Sequence, residues 1–149
     1  MNDMIDTLAG TALPGLRIAE TERGRISFRE AGSGPALLLL HGMNGSSKSW
    51  VYQLRAFSTA YRVIAWDAPG YGKSDPVAPD ADAYAAQVES LLNFLKVDRA
   101  AVVAHSMGGV VAERFCARHP GRANSLVLSG AHWGNAAPPD RHALTERRL

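Results

Sequence analysis

The chain has 149 residues, 46% hydrophobic and 20% charged, with a net charge of +2, which excludes disorder as its main state and suggests one domain with a sizeable core. Its 16 basic residues form no stripe, its longest apolar run (Pro35 to Leu40) is far below the ~20 residues of a membrane span, and its lone Cys116 leaves neither a disulfide nor a zinc-ligand pair. Nucleic acid and membrane are therefore not expected partners. An acidic N-terminus without a signal-peptide apolar region makes the cytoplasm the expected compartment.

Residues 1–15 carry no period and are expected as an extension ending at Pro14-Gly15. Leu16-Arg-Ile-Ala-Glu20 and Arg25-Ile-Ser-Phe-Arg29 alternate apolar and polar residues, as half-buried strands do, with Arg23-Gly24 between them as a turn. The pair predicts an antiparallel hairpin. Ala36-Leu-Leu-Leu-Leu40 is apolar throughout, the mark of a strand covered on both faces. A polar loop from His41 to Ser47 leads into a short helix with Trp50, Leu54 and Phe57 on one face. Arg62-Val-Ile-Ala-Trp66 is the next buried strand, and Asp67 to Asp75 is a Gly/Pro loop.

Tyr84, Val88, Leu91, Leu92 and Leu95 mark one face of a longer helix begun near Asp80 or Asp82. Ala100 to Ala104 and Ser125 to Ser129 read as two further buried strands. Between them a helix carries Val110, Val111 and Phe115, and His119-Pro-Gly121 stops it. Strands alternating with helices predict an α/β fold: a mostly parallel sheet of about six strands, helices on both faces, and the hairpin at its start. This core spans residues 16–135, and residues 136–149 are a tail or the start of a further segment. In such sheets ligands bind outside the carboxyl ends of the strands, so the loops beginning at His41, Asp67, His105 and Gly130 are the candidates.

Val102-Val-Ala-His-Ser-Met-Gly-Gly109 places Ser106 directly between a buried strand and a helix. A strand–Ser–helix turn this tight is the context of a nucleophile elbow, which exposes a strained serine at the top of the sheet. Small residues are needed two positions either side, and here they are Ala104 and Gly108. The helix N-terminus favours negative charge, so the Met107 N–H is a candidate donor to a substrate oxyanion. A second donor is expected from the loop after the earlier strand, Met43 first and Asn44 second. His41, Gly42, Asn44 and His105 are candidate pocket residues, as are His132 and Trp133 after the last strand. Asp67 is expected to hold loop N–H groups and His41 to anchor its loop. Gly70-Tyr-Gly-Lys-Ser74 lacks the spacing of a phosphate loop and no G-x-G-x-x-G occurs, so no cofactor and no metal are expected.

With Leu40-His-Gly-Met43, Asp67-Ala-Pro-Gly-Tyr-Gly-Lys-Ser74 and His105-Ser-Met-Gly-Gly109 in this order, the chain resembles the serine-nucleophile branch of the α/β-hydrolase fold family. The resemblance implies a serine hydrolase of esterase type acting on an ester, a lactone or an activated carbon–carbon bond. Relatives with epoxide hydrolase or dehalogenase activity carry aspartate where Ser106 stands. The family's order of Ser, then acid, then His is not completed after Ser106, so the resemblance implies an N-terminal half lacking acid and base. Such a half is expected to be nearly inactive alone and to self-associate through its exposed last strand. The alternative is a catalytically inactive binding or regulatory half-fold.

Overall fold

The computed structural model describes residues 12–131. The expected extension up to residue 11, His132, Trp133 and the tail lie outside the described residues.

Six strands form one mixed sheet, β1 (Arg17–Thr21), β2 (Gly24–Ala31), β3 (Ala36–Leu40), β4 (Arg62–Trp66), β5 (Ala100–His105) and β6 (Ala123–Ser129), in the order β1-β2-β4-β3-β5-β6. β1 and β2 pair antiparallel, as the alternation predicts, and β2 pairs antiparallel with β4. The other pairings, β3 with β4 and β5 and β5 with β6, are parallel. The hairpin turn falls on Glu22-Arg23 rather than on Arg23-Gly24, because Thr21 pairs with Gly24 and closes a two-residue loop. Gly24 there has φ +104°, a conformation open to glycine at no steric cost.

Three helices follow: α1 (Val51–Phe57), entered through a 3₁₀ turn at Ser47–Trp50, then α2 (Ala81–Phe94) and α3 (Met107–Arg118). Ser46 caps the 3₁₀ turn with a reciprocal bond to Ser49, and the Asp80 carboxylate caps α2 by accepting from the Ala83 N–H at 2.8 Å. The pleat sends alternate residues of the inner strands to opposite faces. Leu38, Leu40, Ile64, Trp66, Val102 and Ala104 meet α2 and α3 through Val88, Leu91, Leu92, Val111 and Phe115. Leu37, Leu39, Val63 and Ala65 meet Trp50 and Leu54 on the other face. Each fully buried Leu in these layers is worth on the order of 2–5 kcal/mol against Ala.

Two expectations of burial are corrected. Phe57 is exposed and packs edge-on to Tyr61, because α1 ends there and no longer faces the sheet. β6 is not a buried strand: Val127 is 54% exposed and Leu126 36%. It is the last described strand of the sheet, and the layer of Trp50 and Leu54 that packs against Val103 on this face leaves Val127 uncovered. No described helix is long and apolar enough to cross a membrane.

Candidate functional site

The parallel strands β3, β4 and β5 end on the same side, which brings together the residues following them: His41, Asp67 and Ser106. Ser106 sits between β5 and α3 with φ +50° and ψ −117°, a backbone conformation that L residues rarely adopt. Hydrogen bonds hold it on both sides. Its N–H donates to the Ser129 carbonyl at 3.0 Å, and its own carbonyl accepts from the Gly109 N–H at 2.8 Å. Strain of this kind concentrates at functional sites when the surroundings over-determine it. Ala104 is fully buried and Gly108 abuts the end of β3, so both small residues sit where the tight turn needs them. His105 is exposed, with its Nδ1 3.0 Å from the Ser129 carbonyl oxygen.

The loop after β3 lies against this elbow. A methyl group on Gly42 would come within 3.0 Å of the Ser106 Cβ and 2.9 Å of the His105 ring, so glycine permits the approach. The Gly45 N–H donates to the Gly42 carbonyl at 3.0 Å, and Asn44 has φ +61°, as the third residue of a type II turn does. Neither the Met43 N–H nor the Met107 N–H has an acceptor among the described residues. Two such donors, one from the loop after β3 and one from the first residue of α3, therefore flank the serine region. No histidine or carboxylate hydrogen-bonds the Ser106 hydroxyl among the described residues.

His41 is buried and neutral by construction. Its Nε2 accepts from the Ala68 N–H at 3.0 Å, which leaves the proton on Nδ1 to donate to the Gly42 carbonyl at 2.8 Å. Burial pushes its pKa down, while the Gly42 carbonyl and the Asp67 charge act the other way. The Asp67 carboxylate accepts from the Ser47 N–H and from the Ser27 hydroxyl, both at 2.6 Å. Both residues thus anchor loops, as their places at strand ends suggest.

Two cavities open beside the elbow. One, of about 400 Å³, is mostly apolar and is lined by Met43, Tyr71, Tyr84, Met107, Val110 and Val111. The other, of about 320 Å³, is more polar and is lined by His41, Gly42, Met43, Asn44, Trp50 and His105, among others. Met43 borders both. Sequence reading missed Tyr71 and Tyr84 as lining residues. Tyr84 lies on the predicted buried face of α2, but its hydroxyl donates to the Pro69 carbonyl at 3.3 Å and its ring edges the cavity. A tyrosine between two glycines, at Gly70-Tyr71-Gly72, was the available signal for the other. Among the described residues no group of three His, Cys, Asp or Glu is placed to hold a metal ion.

An α/β sheet with a strained serine at a tight strand–helix turn is the architecture of the α/β-hydrolase fold. The sequence model of the alpha/beta hydrolase fold family matches residues 35–147, and the chain belongs to that family. It is 38% identical over 122 residues to an uncharacterised protein of Mycobacterium tuberculosis, covering 80% of this chain and 36% of that protein. It is 35% identical over 113 residues to a 2-hydroxy-6-oxononadienedioate/2-hydroxy-6-oxononatrienedioate hydrolase of Comamonas testosteroni, covering 71% of this chain and 40% of the relative. Among solved structures it is similar to the N-acyl homoserine lactonase AidH complexed with N-butanoyl homoserine. That match has 32% identity and a TM-score of 0.72, and covers 78% of this chain and 45% of the other. It is similar also to an epoxide hydrolase from an endophytic Streptomyces, with 33% identity and a TM-score of 0.72, covering 79% and 37%. The chain spans about two fifths of the length of the curated relatives it matches.

Proposed function

We propose that this chain carries the nucleophile half of a serine hydrolase acting on an ester, a lactone or a similar carbonyl substrate. The observation that supports it most is the Ser106 backbone, held at φ +50° between β5 and α3 beside a loop whose Met43 N–H has no acceptor among the described residues. Ser106 attacks the substrate carbonyl, and the Met43 and Met107 N–H groups receive the oxyanion that forms. The apolar cavity takes an apolar arm of the substrate. Among named relatives, a lactonase and a hydrolase of an oxo-dienedioate fit carbonyl chemistry. The similarity to epoxide hydrolases carries less weight here, because Ser106 stands where those relatives are expected to use aspartate.

A serine hydroxyl is a weak nucleophile until a base takes its proton. With His41 and His105 committed elsewhere, the reading places the base and its acid outside the described residues. The described residues by themselves then supply only the ~10³–10⁴ over water that oxyanion donors and binding can leave. The experiment compares the complete gene product that carries this chain with its Ser106→Ala variant on p-nitrophenyl acetate, together with fluorophosphonate labelling. Loss of activity and of label at Ser106 is expected. Unlabelled Ser106 in an unmodified protein without esterase activity would favour the binding or regulatory half-fold instead.

A further inference from the structure

The loop from His41 to Ser46, which carries Met43, is tied down at both ends by two consecutive residues of the β4 loop. At its start the His41 ring accepts from the Ala68 N–H at 3.0 Å. At its end the Ser47 N–H donates to the Asp67 carboxylate at 2.6 Å. We propose that Asp67 is a positioning residue for the oxyanion donor. Its carboxylate fixes the far end of the loop, and so the distance from the Met43 N–H to Ser106. The proposal rests on the reading of Ser106 as nucleophile.

The carboxylate is itself held without slack. It is 2% exposed, and its second oxygen accepts from the Ser27 hydroxyl at 2.6 Å. That hydroxyl in turn accepts from the Lys73 N–H at 2.9 Å, and the Asp67 N–H donates to the Ser27 carbonyl at 2.8 Å. Gly72 packs so close that a methyl group there would stand 2.4 Å from the Asp67 carboxylate. A charged acceptor that holds a donor on each oxygen and is shielded from water is stiff, because moving it strands buried donors. The strand β2, the β4 loop and the oxyanion loop are thereby registered on one group. Asp67 lines neither cavity, so its effect on the reaction runs through the loop it holds. Between the two ties the loop makes a turn with Asn44 at positive φ, and that turn needs its ends fixed to keep one conformation.

The experiment uses the complete gene product and four variants: Asp67→Ala, Asp67→Asn, Ser74→Ala and Ser106→Ala. Removing an oxyanion donor outright costs about 10²–10³ in kcat, and a displacement of about 1 Å can cost about 10². Asp67→Ala is therefore expected to lower kcat per labelled active site at least about tenfold, with KM within about twofold. It should weaken a boronic acid, which forms a tetrahedral adduct on the serine, by a similar factor. Asp67→Asn keeps one carbonyl acceptor for the Ser47 N–H and is expected to recover most of the loss. Ser74→Ala touches the same network through the Ser27 N–H and the Asp67 carbonyl without touching the loop, so it should lower the melting temperature and leave kcat unchanged. Asp67→Ala with normal kcat and normal boronate affinity per labelled site would overturn the proposal, as would Asp67→Asn failing as badly as Asp67→Ala. Full activity of Ser106→Ala would instead remove the underlying reading. Should Asp67→Ala not fold, Ser27→Ala, which takes the hydroxyl donor from the second carboxylate oxygen, is read in its place: a lower kcat with KM unchanged supports the proposal, and normal kcat and boronate affinity overturn it.

Discussion

Gly108 packs against the Leu40 backbone so closely that a methyl group on it would lie 2.4 Å from the Leu40 carbonyl oxygen and 2.7 Å from that of His41. The start of α3 and the end of β3 therefore meet through bare backbone, and this contact sets the depth at which Ser106 stands. Gly108→Val is expected to destabilise the fold by roughly 1–3 kcal/mol or more, since backbone cannot move aside as a side chain can. A urea unfolding midpoint equal to that of the unmodified protein would show a looser turn. Gly108→Ala should already move it in the same direction.

The strain at Ser106 belongs to its side chain's Cβ, not to its hydroxyl. Ser106→Ala keeps the Cβ at φ +50° and ψ −117°, whereas Ser106→Gly relieves it. The glycine variant should be more stable than the alanine variant by about 1–2 kcal/mol, the opposite of the usual ranking within regular structure. Thermal unfolding of the two variants side by side measures this, and a more stable alanine variant would contradict it.

The buried imidazole of His41 predicts an acid-side loss of stability. Burial lowers its pKa in the folded chain below that of the unfolded chain, so the unfolded state binds the proton first. Its contribution is whole above the unfolded value of about 6.5 and falls away as pH drops below it. Protonation also removes the acceptor that the Ala68 N–H needs. The cost of His41→Phe, about 1–3 kcal/mol at pH 8 for the orphaned Ala68 N–H, should shrink towards pH 5. Urea titrations of both proteins at the two pH values give the difference, and a gap that stays constant or widens would refute the sign.

β6 presents an apolar outer edge. Leu126 and Val127 are exposed on its two faces, and no described strand pairs with its free side. An edge of this kind templates pairing with another chain. Residues 1–149 are expected to elute from a sizing column as dimers or larger species, and Val127→Lys to shift them towards monomer. A monomeric unmodified chain at tens of micromolar would remove the expectation.

Much of this molecule is legible along the chain. The period of two in Leu16–Glu20 and Arg25–Arg29, the unbroken apolar runs at β3, β4 and β5, and the small residues around Ser106 are local patterns that constrain the backbone directly. They were enough for the six strands, a mostly parallel sheet opened by a hairpin, the tight strand–serine–helix turn and the loops that surround it. Phe57 and β6 escaped because burial depends on what lies opposite, and an apolar residue says nothing about whether a neighbour reaches it. The lining tyrosines, 13 positions apart at Tyr71 and Tyr84, share a cavity only because the β4 loop folds over the start of α2. The same holds for the network of Ser27, Ser47, Asp67 and Ser74. An acid at the end of β4 can be expected to bind loop N–H groups, but which ones depends on strand order and register, and placing β2 beside β4 and β3 beyond it settled that. Local periodicity determined the elements and the serine's strained turn; the close approach of three loops, which needs contacts across dozens of residues, was decided by tertiary packing alone.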